Sequence, residues 1–495
     1  MDAPTRHDDH FDVAVVGAGF GGIGAALACA ERGRRVVLLE KMTYPGGCAA
    51  TFRHRGRPYE AGATLSAGFG EGQLFRTWIA RYGLDLDLRD LDPIVSFRAP
   101  SIRLEVPRDR ELFVTRLAER EGARAESVRR FFARQRRVAD LLWPLLDDPR
   151  LLPPLGVGGL FGHLRRAPRY LGLLSTVGRD LDALLVRSGL GSDPGLRVLL
   201  DAICRITLQA GVDEVEAPFA LAALDYFFRG SRHVVGGLGR LAEELLRAFT
   251  AAGGTLRLAD GVRGIARDGR GFRVVSRRGS LQASVVVSNL LPDATRGLLD
   301  EPLRAEARGL ADREREVRAG WGAAMLYLDV SSAALEAEGA RHLELVDRED
   351  EALIEGNHVF CSIGDGDAGG ERPVTVSTHV RMDELLGRPE SERGLFIGAI
   401  QDRMRATLRA RAPRLAAAIV REMTASPRTF ARFTGRPDGF VGGVPRRRGF
   451  RAYRITAAPR LARGLHLVGD SVFPGQSILA CALGGAKVAE RIGAD

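Results

Sequence analysis

The stretch FDVAVVGAGFGG, residues 11–22, decides the fold of this chain. Its apolar run from Asp12 to Val16 predicts a short strand, and the small residues after the glycines, IGAALACAERG, predict a helix. Gly17, Gly19 and Gly22 stand between the two in the spacing GxGxxG. A strand, a glycine-rich turn and a helix in this order predict a unit that binds a dinucleotide.

Each glycine of this turn has its own physical task. Gly17 permits the tight turn, Gly19 lets the backbone approach a pyrophosphate, and Gly22 lets the helix pack closely on the strand. The helix N-terminus then offers free N–H groups and a positive dipole end to the phosphates. A second strand, RRVVLLE, ends in Glu40, about 20 residues further on, where an acid accepts the ribose hydroxyls. A glycine turn without a ligand is the alternative, but it leaves this five-part match unexplained.

A second glycine turn follows soon after this acid. The run KMTYPGGCAATF places Pro45, Gly46 and Gly47 directly downstream of Glu40. A second close backbone approach beside the same pyrophosphate suits a cofactor that is bound in extended form across the domain, as FAD is. The sequence therefore predicts FAD as the cofactor.

The last part of the chain repeats the strand, loop and helix pattern. In RGLHLVGDSVFPGQSILACALGGAKVAERI we expect a strand over Leu465 to Val468 and a helix from about Gln476 to Ile492. Asp470 at the strand end can accept hydrogen bonds from ribityl hydroxyls, and Pro474 suits the start of a helix. Gly475 and its neighbours then present backbone N–H groups, which would stabilise the flavin edge that gains negative charge on reduction.

These runs resemble the phytoene desaturase, carotenoid isomerase and retinol saturase group of the amine-oxidase-like flavoproteins. The opening FAD motif of that group is similar to GAGFGG followed by EKMTYPGG, and its closing motif is similar to GDS followed by FPGQ. TLRLADGVRGI resembles the strand whose backbone, near Val262, meets the adenine, and VVVSNLLP resembles the segment end that carries Ser288 and Asn289. The resemblance covers the whole chain in order and is densest in residues 11–70, 200–295 and 460–492.

The motifs and the resemblance together imply a cofactor site but no named catalytic residue and no metal. Many amine oxidases carry arginine after the glycine pair, whereas this chain has Cys48; a packed small side chain is favoured there over a covalent flavin anchor. The predicted cofactor-binding residues are Gly17, Gly19, Phe20, Gly22, Glu40, Lys41, Gly46, Gly47, Cys48, Val262, Asn289, Gly469, Asp470, Pro474, Gly475, Gln476 and Ser477.

The fold class that follows is α/β. We expect a Rossmann-like FAD-binding domain of the glutathione-reductase type, built from discontinuous segments, and an α+β substrate domain with a mixed sheet and a helical lid. The FAD-binding segments are predicted at residues 1–75, 231–299 and 456–495, with a mainly helical substrate or lid segment at 76–230 and a substrate sheet at 300–455. Strands such as AAMLYLDV are expected to open this last segment.

The substrate side offers weaker signals. Residues 151–178, LLPPLGVGGLFGHLRRAPRYLGLLSTVG, are apolar with interleaved arginines and are too short and proline-rich to span a bilayer. They predict a segment that lies on a membrane surface or covers an apolar tunnel, with a core hairpin as the open alternative. The aromatic run Tyr226 to Phe228 is a candidate cavity wall, and His379 a candidate acid or base. The loop Gly435 to Phe450 is a candidate for the substrate entrance.

Composition excludes several other functions. The net charge of +10 is compatible with nucleic-acid binding, but the acids are interspersed and no basic stripe carries stacking aromatics. Arginine outnumbers lysine so strongly that a coding bias explains the excess of arginine.

The 495 residues, 45% of them apolar, contain no run long enough for a transmembrane helix. The start, MDAPTRHDDH, lacks the apolar core of a signal peptide, so we expect a cytoplasmic protein, with an anionic membrane surface as a partner for its charge. The five cysteines form no CxxC pair, and hydrolase and zinc motifs are absent.

The resulting hypothesis is an FAD-dependent oxidoreductase that acts on carbon–carbon bonds of a lipophilic isoprenoid polyene. Desaturation, isomerisation and saturation all remain open, as do the polyene's length, the oligomeric state and the electron acceptor, for which oxygen and quinone are candidates. One alternative is an FAD-dependent amine oxidase or specialised-metabolite oxidase. A second alternative, from another class, is a flavin-binding or escort protein without turnover.

Overall fold

The computed structural model describes residues 10–366, 370–449 and 454–492. Residues 1–9, on which the expectation of no export rests, and Phe450 at the end of the predicted entrance loop lie outside the described residues. The strands are β1 (His10–Val16), β2 (Val36–Leu39), β3 (Thr51–His54), β4 (Arg57–Glu60), β5 (Leu88–Asp90), β6 (Val95–Arg98), β7 (Arg103–Val106), β8 (Arg232–Val234), β9 (Thr255–Arg257), β10 (Val262–Asp268), β11 (Gly271–Ser276), β12 (Gly279–Ser288), β13 (Trp321–Ser331), β14 (His342–Val346), β15 (His358–Ile363), β16 (Glu371–Arg381), β17 (Ile419–Ala425), β18 (Arg460–Ala462) and β19 (Leu465–Leu467).

The helices are interleaved with these strands. They are α1 (Phe20–Ala30), α2 (Leu74–Tyr82), α3 (Arg110–Glu121), α4 (Ala125–Leu146), α5 (Val157–Tyr170), α6 (Leu181–Arg187), α7 (Pro194–Leu208), α8 (Ala217–Ala223), α9 (Leu238–Ala251), α10 (Pro292–Leu298), α11 (Glu301–Glu306), α12 (Leu310–Arg318), α13 (Ser332–Glu336), α14 (Met382–Gly387), α15 (Glu390–Arg411), α16 (Pro413–Ala417), α17 (Pro427–Thr434) and α18 (Ile478–Ile492).

An eight-stranded sheet contains the glycine motif. Its main order is β10-β11-β12-β1-β2-β9, with β1 parallel to both β12 and β2, and β9 parallel to β2. The long strand β12 pairs antiparallel with β11 in its first half and parallel with β19 in its second half. Strands far apart in the sequence therefore share one sheet, which is the α/β, Rossmann-like architecture that the glycine motif predicts.

Small residues let the first and last helices cross closely on this sheet. A Cβ on Gly24 would lie 2.4 Å from the carbonyl oxygen of Ala482, and a Cβ on Gly485 would lie 2.2 Å from that of Gly21. Every residue of α1 is buried. Because no side chain separates the helix axes at these points, the N-terminus of α1 and the loop before α18 are held next to each other.

A seven-stranded mixed sheet forms the second half of the molecule, in the order β17-β13-β16-β15-β14-β6-β7. The two long strands β13 and β16 pair antiparallel over eleven positions, from Trp321 opposite Arg381 to Ser331 opposite Glu371. Strands β6 and β7 belong to the mainly helical stretch of the sequence, and β6 enters this sheet parallel to β14. Helices α3, α4 and α6 to α8 pack with them in a separate apolar core.

Two local expectations differ from the structure. The C-terminal helix begins at Ile478 rather than at Gln476. Ser477 has a φ of 96°, outside the helical range, and its Oγ accepts a hydrogen bond from the backbone N–H of Ala480, so it ends the loop rather than starting the helix. The segment after residue 300 begins with α11 and α12 rather than with strands, because its first apolar alternation comes only at β13.

Candidate functional site

A cavity of about 780 Å³ is lined by residues from both large sheets and from the helical region. At one end its wall consists of backbone from the glycine turns and from the loop that precedes α18. At the other end the wall consists of apolar side chains, among them Leu65, Ile206, Phe219, Met325 and Phe360. A backbone-rich end and an apolar end therefore face one shared space.

The backbone-rich end has no room for side chains. Gly17 adopts a φ of 97°, which favours glycine. A Cβ on Gly19 would lie 2.6 Å from the Asn289 amide nitrogen, and one on Gly21 would lie 2.5 Å from the Asn289 amide oxygen. No side chain caps the N-terminus of α1, and Gly19, Phe20 and Gly21 line the cavity, so the first N–H groups of the helix lie beside it.

Asn289 connects the first and last parts of the chain at this point. Its backbone N–H donates to the carbonyl of Val16 at 2.9 Å, which continues the pairing of β12 with β1. Its side chain lines the cavity between the glycine turn and Gly469, whose own Cβ position would lie 2.8 Å from the Asn289 amide oxygen. Three remote segments of the chain therefore meet around one amide.

Glu40 lies at the end of β2, at the predicted position. One carboxylate oxygen accepts from the backbone N–H of Ala18 and the other from that of Met42, both at 2.8 Å. These bonds fix the carboxylate against the glycine turn, and a carboxylate has about four lone-pair sites, so it can still accept further hydrogen bonds from sugar hydroxyls.

The second glycine turn is bonded to the first. The N–H of Gly46 donates to the carbonyl of Ala18 at 2.8 Å, and Gly46 and Gly47 adopt φ values of 108° and 61°. A Cβ on Gly46 would lie 2.7 Å from the Cα of Ala50. The two turns form one continuous strip of backbone along the cavity.

A largely buried ion pair closes the C-terminal side of the site. An Arg436 guanidinium nitrogen donates to a carboxylate oxygen of Asp470 at 2.6 Å, and their side chains are 17% and 13% exposed. The neighbouring charge of Asp470 raises the pKa of Arg436 against the opposing effect of burial. Asp470, one of the predicted cofactor-binding residues, lines the cavity, and its arginine partner is a residue that the sequence does not single out.

A second arginine holds the loop before α18. Arg446 donates to the carbonyl of Pro474 at 2.7 Å and to the hydroxyl of Thr456 at 3.2 Å. A Cβ on Gly475 would lie 2.3 Å from the Arg446 guanidinium. Arg436 and Arg446 both belong to the Gly/Arg loop that the sequence predicts to be a substrate entrance. In the structure these two arginines bind Asp470 and the carbonyl of Pro474.

The structure brings most of the predicted cofactor residues to this cavity. Four of them do not line it: Gly22, Lys41, Val262 and Gly475. Gly22 packs under the turn, where a Cβ would lie 2.0 Å from the carbonyl oxygen of Gly17, and Lys41 donates to the carbonyl of Arg432. The predicted residues on the cavity wall are Gly17, Gly19, Phe20, Glu40, Gly46, Gly47, Cys48, Asn289, Gly469, Asp470, Pro474, Gln476 and Ser477.

Two cysteines border the same end of the cavity. Burial raises the pKa of the Cys48 thiol, which is hydrogen-bonded to Thr434 and Arg436. Burial also raises the pKa of Cys481, whose Sγ contacts the carbonyl of Gly475 at 3.5 Å. Both side chains are therefore protonated thiols at neutral pH, which favours packing over a reactive role.

The apolar end differs in part from the sequence expectation. Tyr226 lines the cavity, but Phe227 and Phe228 point into the helical core instead. The run is a 3-10 turn, so its three side chains point in different directions rather than along one wall. His379 does reach the cavity, as does His358, and burial followed by the charge of His358 lowers the pKa of His379 to about 3.

Comparisons with known proteins agree with this architecture. The model of an NAD(P)-binding Rossmann-like domain matches residues 15–106. Prolycopene isomerase 2 of an Oncidium hybrid cultivar is 27% identical over 98% of this chain and 84% of its own length. The human all-trans-retinol 13,14-reductase is 25% identical over 57% of this chain and 47% of its own length. The cyclohexylamine oxidase of Brevibacterium oxydans shares the fold, with 17% identity, 98% and 99% coverage and a TM-score of 0.61.

These matches confirm the resemblance that the motifs indicated. The chain is an enzyme related to the carotenoid isomerases and retinol reductases over most of its length. Among the described residues, no group of three or more histidine, cysteine and acidic side chains is arranged to hold a metal ion. The glycine turns of the Rossmann-like domain border a cavity whose other end is apolar.

Proposed function

We propose that this protein is an FAD-dependent oxidoreductase that acts on carbon–carbon bonds of a lipophilic isoprenoid polyene. One observation carries the proposal: the backbone-rich end and the apolar end belong to a single cavity of about 780 Å³. A dinucleotide bound at the first end would bring its reactive part to a chamber suited to a hydrocarbon chain. The relatives named for polyene substrates support the same assignment.

The described residues fit the cofactor. Gly17, Gly19, Gly21, Gly46 and Gly47 line the cavity with bare backbone, which is the surface that a pyrophosphate approaches. Cβ atoms at Gly19, Gly21 and Gly46 would lie within 3.0 Å of other protein atoms, so these positions require glycine. Glu40 would bind the adenosine ribose, and Asp470 the ribityl chain. When bound, FAD would supply hydride transfer, and the protein supplies position, dryness and polarity around it.

The chain's own residues have three tasks in this mechanism. The ion pair of Arg436 and Asp470 fixes the polar side of the site, and Arg446 fixes the backbone at Pro474. The apolar cavity residues Ile206, Leu208 and Phe219 would exclude water and orient the polyene. None of these three tasks requires a titrating side chain, because a hydrocarbon offers no acidic group to a base at neutral pH.

Product analysis tests this assignment. The purified protein, loaded with FAD, is incubated without oxygen with cis and all-trans polyenes, once with oxidised and once with reduced flavin. We expect conversion of the polyene, with desaturated products if oxidised flavin acts and isomerised or saturated products if only reduced flavin acts. Addition of oxygen or of a quinone then identifies the electron acceptor. Oxidation of amines with no change in any polyene would contradict the proposal and favour the amine-oxidase alternative.

The substrate's solubility raises the question of how it reaches the cavity. Helix α5 exposes large apolar side chains to solvent, and Val157 is 88%, Phe161 66% and Leu164 60% exposed. Leu155 and His163 of the same segment line the cavity, so this apolar face borders the chamber. Arg165 and Arg169 beside it are also exposed. No helix within residues 10–366, 370–449 and 454–492 is both long and apolar enough to cross a membrane.

We therefore include in the proposal a peripheral contact of α5 with an anionic membrane surface. Apolar side chains would enter the lipid boundary while the arginines contact acidic headgroups. Co-sedimentation with vesicles of phosphatidylglycerol and phosphatidylcholine tests the contact. We expect the variant Val157→Ser with Phe161→Ser to lose most vesicle binding at unchanged thermal stability, whereas equal binding of variant and wild type would contradict it.

A further inference from the structure

A chain of three hydrogen-bonded side chains leads from the interior of the second sheet to the cavity. Nδ1 of His342 on β14 lies 2.8 Å from the hydroxyl oxygen of Ser362, which stands opposite it on β15. The Ser362 hydroxyl donates to the hydroxyl of Thr64 at 2.6 Å. His342 and Ser362 are buried, whereas Thr64 lines the cavity. The His342 ring is held by stacking on Phe360, with ring centroids 5.7 Å apart.

The hydrogen bonds of this chain run in one direction. A hydroxyl has a single hydrogen, so Ser362, which donates to Thr64, must accept from His342. Nδ1 of His342 therefore carries a hydrogen. The Thr64 hydroxyl accepts from Ser362 and donates to no group within the described part of the chain, so its own hydrogen is available to a molecule in the cavity.

Thr64 lies where the two ends of the cavity meet. Directly before it, the N–H of Ala63 donates to the carbonyl of Cys48 at 3.1 Å, which ties this segment to the second glycine turn. Directly after it, Leu65 belongs to the apolar end. A dinucleotide in the first end and a hydrocarbon in the second would therefore meet beside Thr64.

Partly exposed ionisable groups lie near the other end of the chain. Burial, and then the charges of His233 and Arg341, lower the pKa of His342 to about 3. His342 is therefore neutral at pH 7, and a neutral imidazole that donates through Nδ1 accepts through Nε2. His233 is bonded to Asp365 at 2.9 Å, and their side chains are 12% and 24% exposed.

We propose that His342, Ser362 and Thr64 form a relay that delivers a proton to the polyene. This inference rests on the proposed function and adds the source of the proton. It favours a reaction in which the polyene gains a proton, such as saturation, over desaturation, in which it loses one. In saturation, one carbon of the polyene accepts a hydride from the reduced flavin, another carbon accepts a proton, and one double bond is lost.

The proton transfer breaks the O–H bond of Thr64 and forms a C–H bond on the polyene. The hydrogen of Ser362 moves to Thr64, the hydrogen on Nδ1 of His342 moves to Ser362, and Nε2 takes up a proton from solvent on the side of His233 and Asp365. Each member of the relay is neutral before and after the transfer, which suits side chains that are removed from water.

The position of the hydrogen on His342 can be measured without any cofactor. In protein labelled with ¹⁵N-histidine, an NMR spectrum that correlates the ring nitrogens with the carbon-bound ring hydrogens distinguishes a nitrogen that carries hydrogen from one that does not. We expect Nδ1 of His342 to carry it, with the signal identified by its absence in His342→Gln. A bare Nδ1 would overturn the inference, because Ser362 would then have to donate to His342.

Single-turnover kinetics test the relay itself. The FAD-loaded protein is reduced without oxygen and mixed with prolycopene or with all-trans-retinol, the polyenes in the names of its relatives. At saturating polyene we expect Thr64→Val to lower the rate of conversion about 100-fold, the order that a positioned proton donor contributes, with little change in the Kd for the polyene. Ser362→Ala should lower the rate similarly, and Thr64→Ser, which restores the hydroxyl, should recover most of it.

Thr375→Val is the matched control. Thr375 lies opposite Ser362 on β16, is buried, donates to the carbonyl of Glu60 and does not line the cavity, so its replacement should leave the rate unchanged. A Thr64→Val variant that reacts as fast as wild type, or no recovery in Thr64→Ser, would overturn the relay and leave the proposed function standing. Conversion of neither polyene by wild type would instead contradict the proposed function.

Discussion

The two ends of the cavity are built in opposite ways. At the backbone-rich end, which is the proposed cofactor end, the wall is mainly backbone, with glycines at which a Cβ would meet other protein atoms and with hydrogen bonds between consecutive turns. At the apolar end, which is the proposed substrate end, the wall consists of single side chains from separate helices and strands, such as Ile206, Met325 and Phe360. The shape of the cofactor end is therefore set by the path of the backbone, whereas the shape of the substrate end is set by side chains that come from distant parts of the sequence.

The largest effect should come from the largely buried ion pair of Arg436 and Asp470. Asp470→Asn leaves the Arg436 guanidinium largely buried without its counterion, and we expect it to lower the free energy of unfolding by about 3 kcal/mol. Chemical denaturation measures this change. FAD affinity should fall in the same variant because Asp470 lines the cofactor end of the cavity.

Asp438→Asn is the control for that variant. Asp438 pairs with Arg318 at 3.3 Å on the surface, in the same loop as Arg436, and both side chains are well exposed. A surface pair of this kind contributes under about 1 kcal/mol. Similar losses in the two variants would show that burial does not make the Asp470 pair more important to stability than a surface pair.

The next effect tests whether backbone geometry governs the cofactor end. Gly22→Ala places a methyl group 2.0 Å from the carbonyl oxygen of Gly17, so the strand and α1 must separate. We expect a loss of about 2 kcal/mol in unfolding free energy, together with weaker FAD retention. Thermal unfolding and the flavin content after gel filtration measure both.

The same substitution at a helix position with open space should act in the other direction. Gly158 lies in α5, and a Cβ there meets nothing within 4 Å. Gly158→Ala should therefore stabilise the protein by up to about 1 kcal/mol through helix propensity. If Gly22→Ala were tolerated as well as Gly158→Ala, the cofactor end would not be defined by its backbone.

The last prediction concerns the pH dependence of the substrate end. The pKa of His379 is about 3 in the folded protein and about 6.5 when unfolded, so between these values the unfolded chain binds more protons. The contribution of the neutral ring to the free energy of unfolding is therefore fully present above pH 6.5 and falls as the pH is lowered from 6.5 toward 3. The slope is at most about 1.4 kcal/mol per pH unit. Unfolding of His379→Gln measured from pH 7 to pH 5 should show a shallower slope than wild type, and equal slopes would contradict a buried neutral His379.

The sequence could predict the cofactor end because its signals are local. The strand, the glycines and the helix of residues 11–30 predict the fold class, because the small residues that this turn requires stand close together in the sequence. Glu40 and the second glycine turn lie within the same unit and could be placed by spacing alone. Their roles toward FAD remain predictions.

The substrate end could not be predicted in the same way. Gln209 and His379 are 170 positions apart and meet only because α7 ends against β16. Arg436 and Arg446 were visible as part of a Gly/Arg loop, but nothing in their spacing indicates that they hold Asp470 and Pro474. Contacts between residues so far apart in the sequence leave no repeating pattern in it, so only the packed structure shows them.

The visible spectrum of the protein, purified without added flavin and then mixed anaerobically with a polyene, tests the central claim most directly. If the two ends form one site, the protein will carry a flavin absorption band, or acquire one on loading with FAD, and the polyene will change that band. A protein that cannot be loaded with FAD, or a bound flavin whose spectrum no polyene alters, would contradict the account.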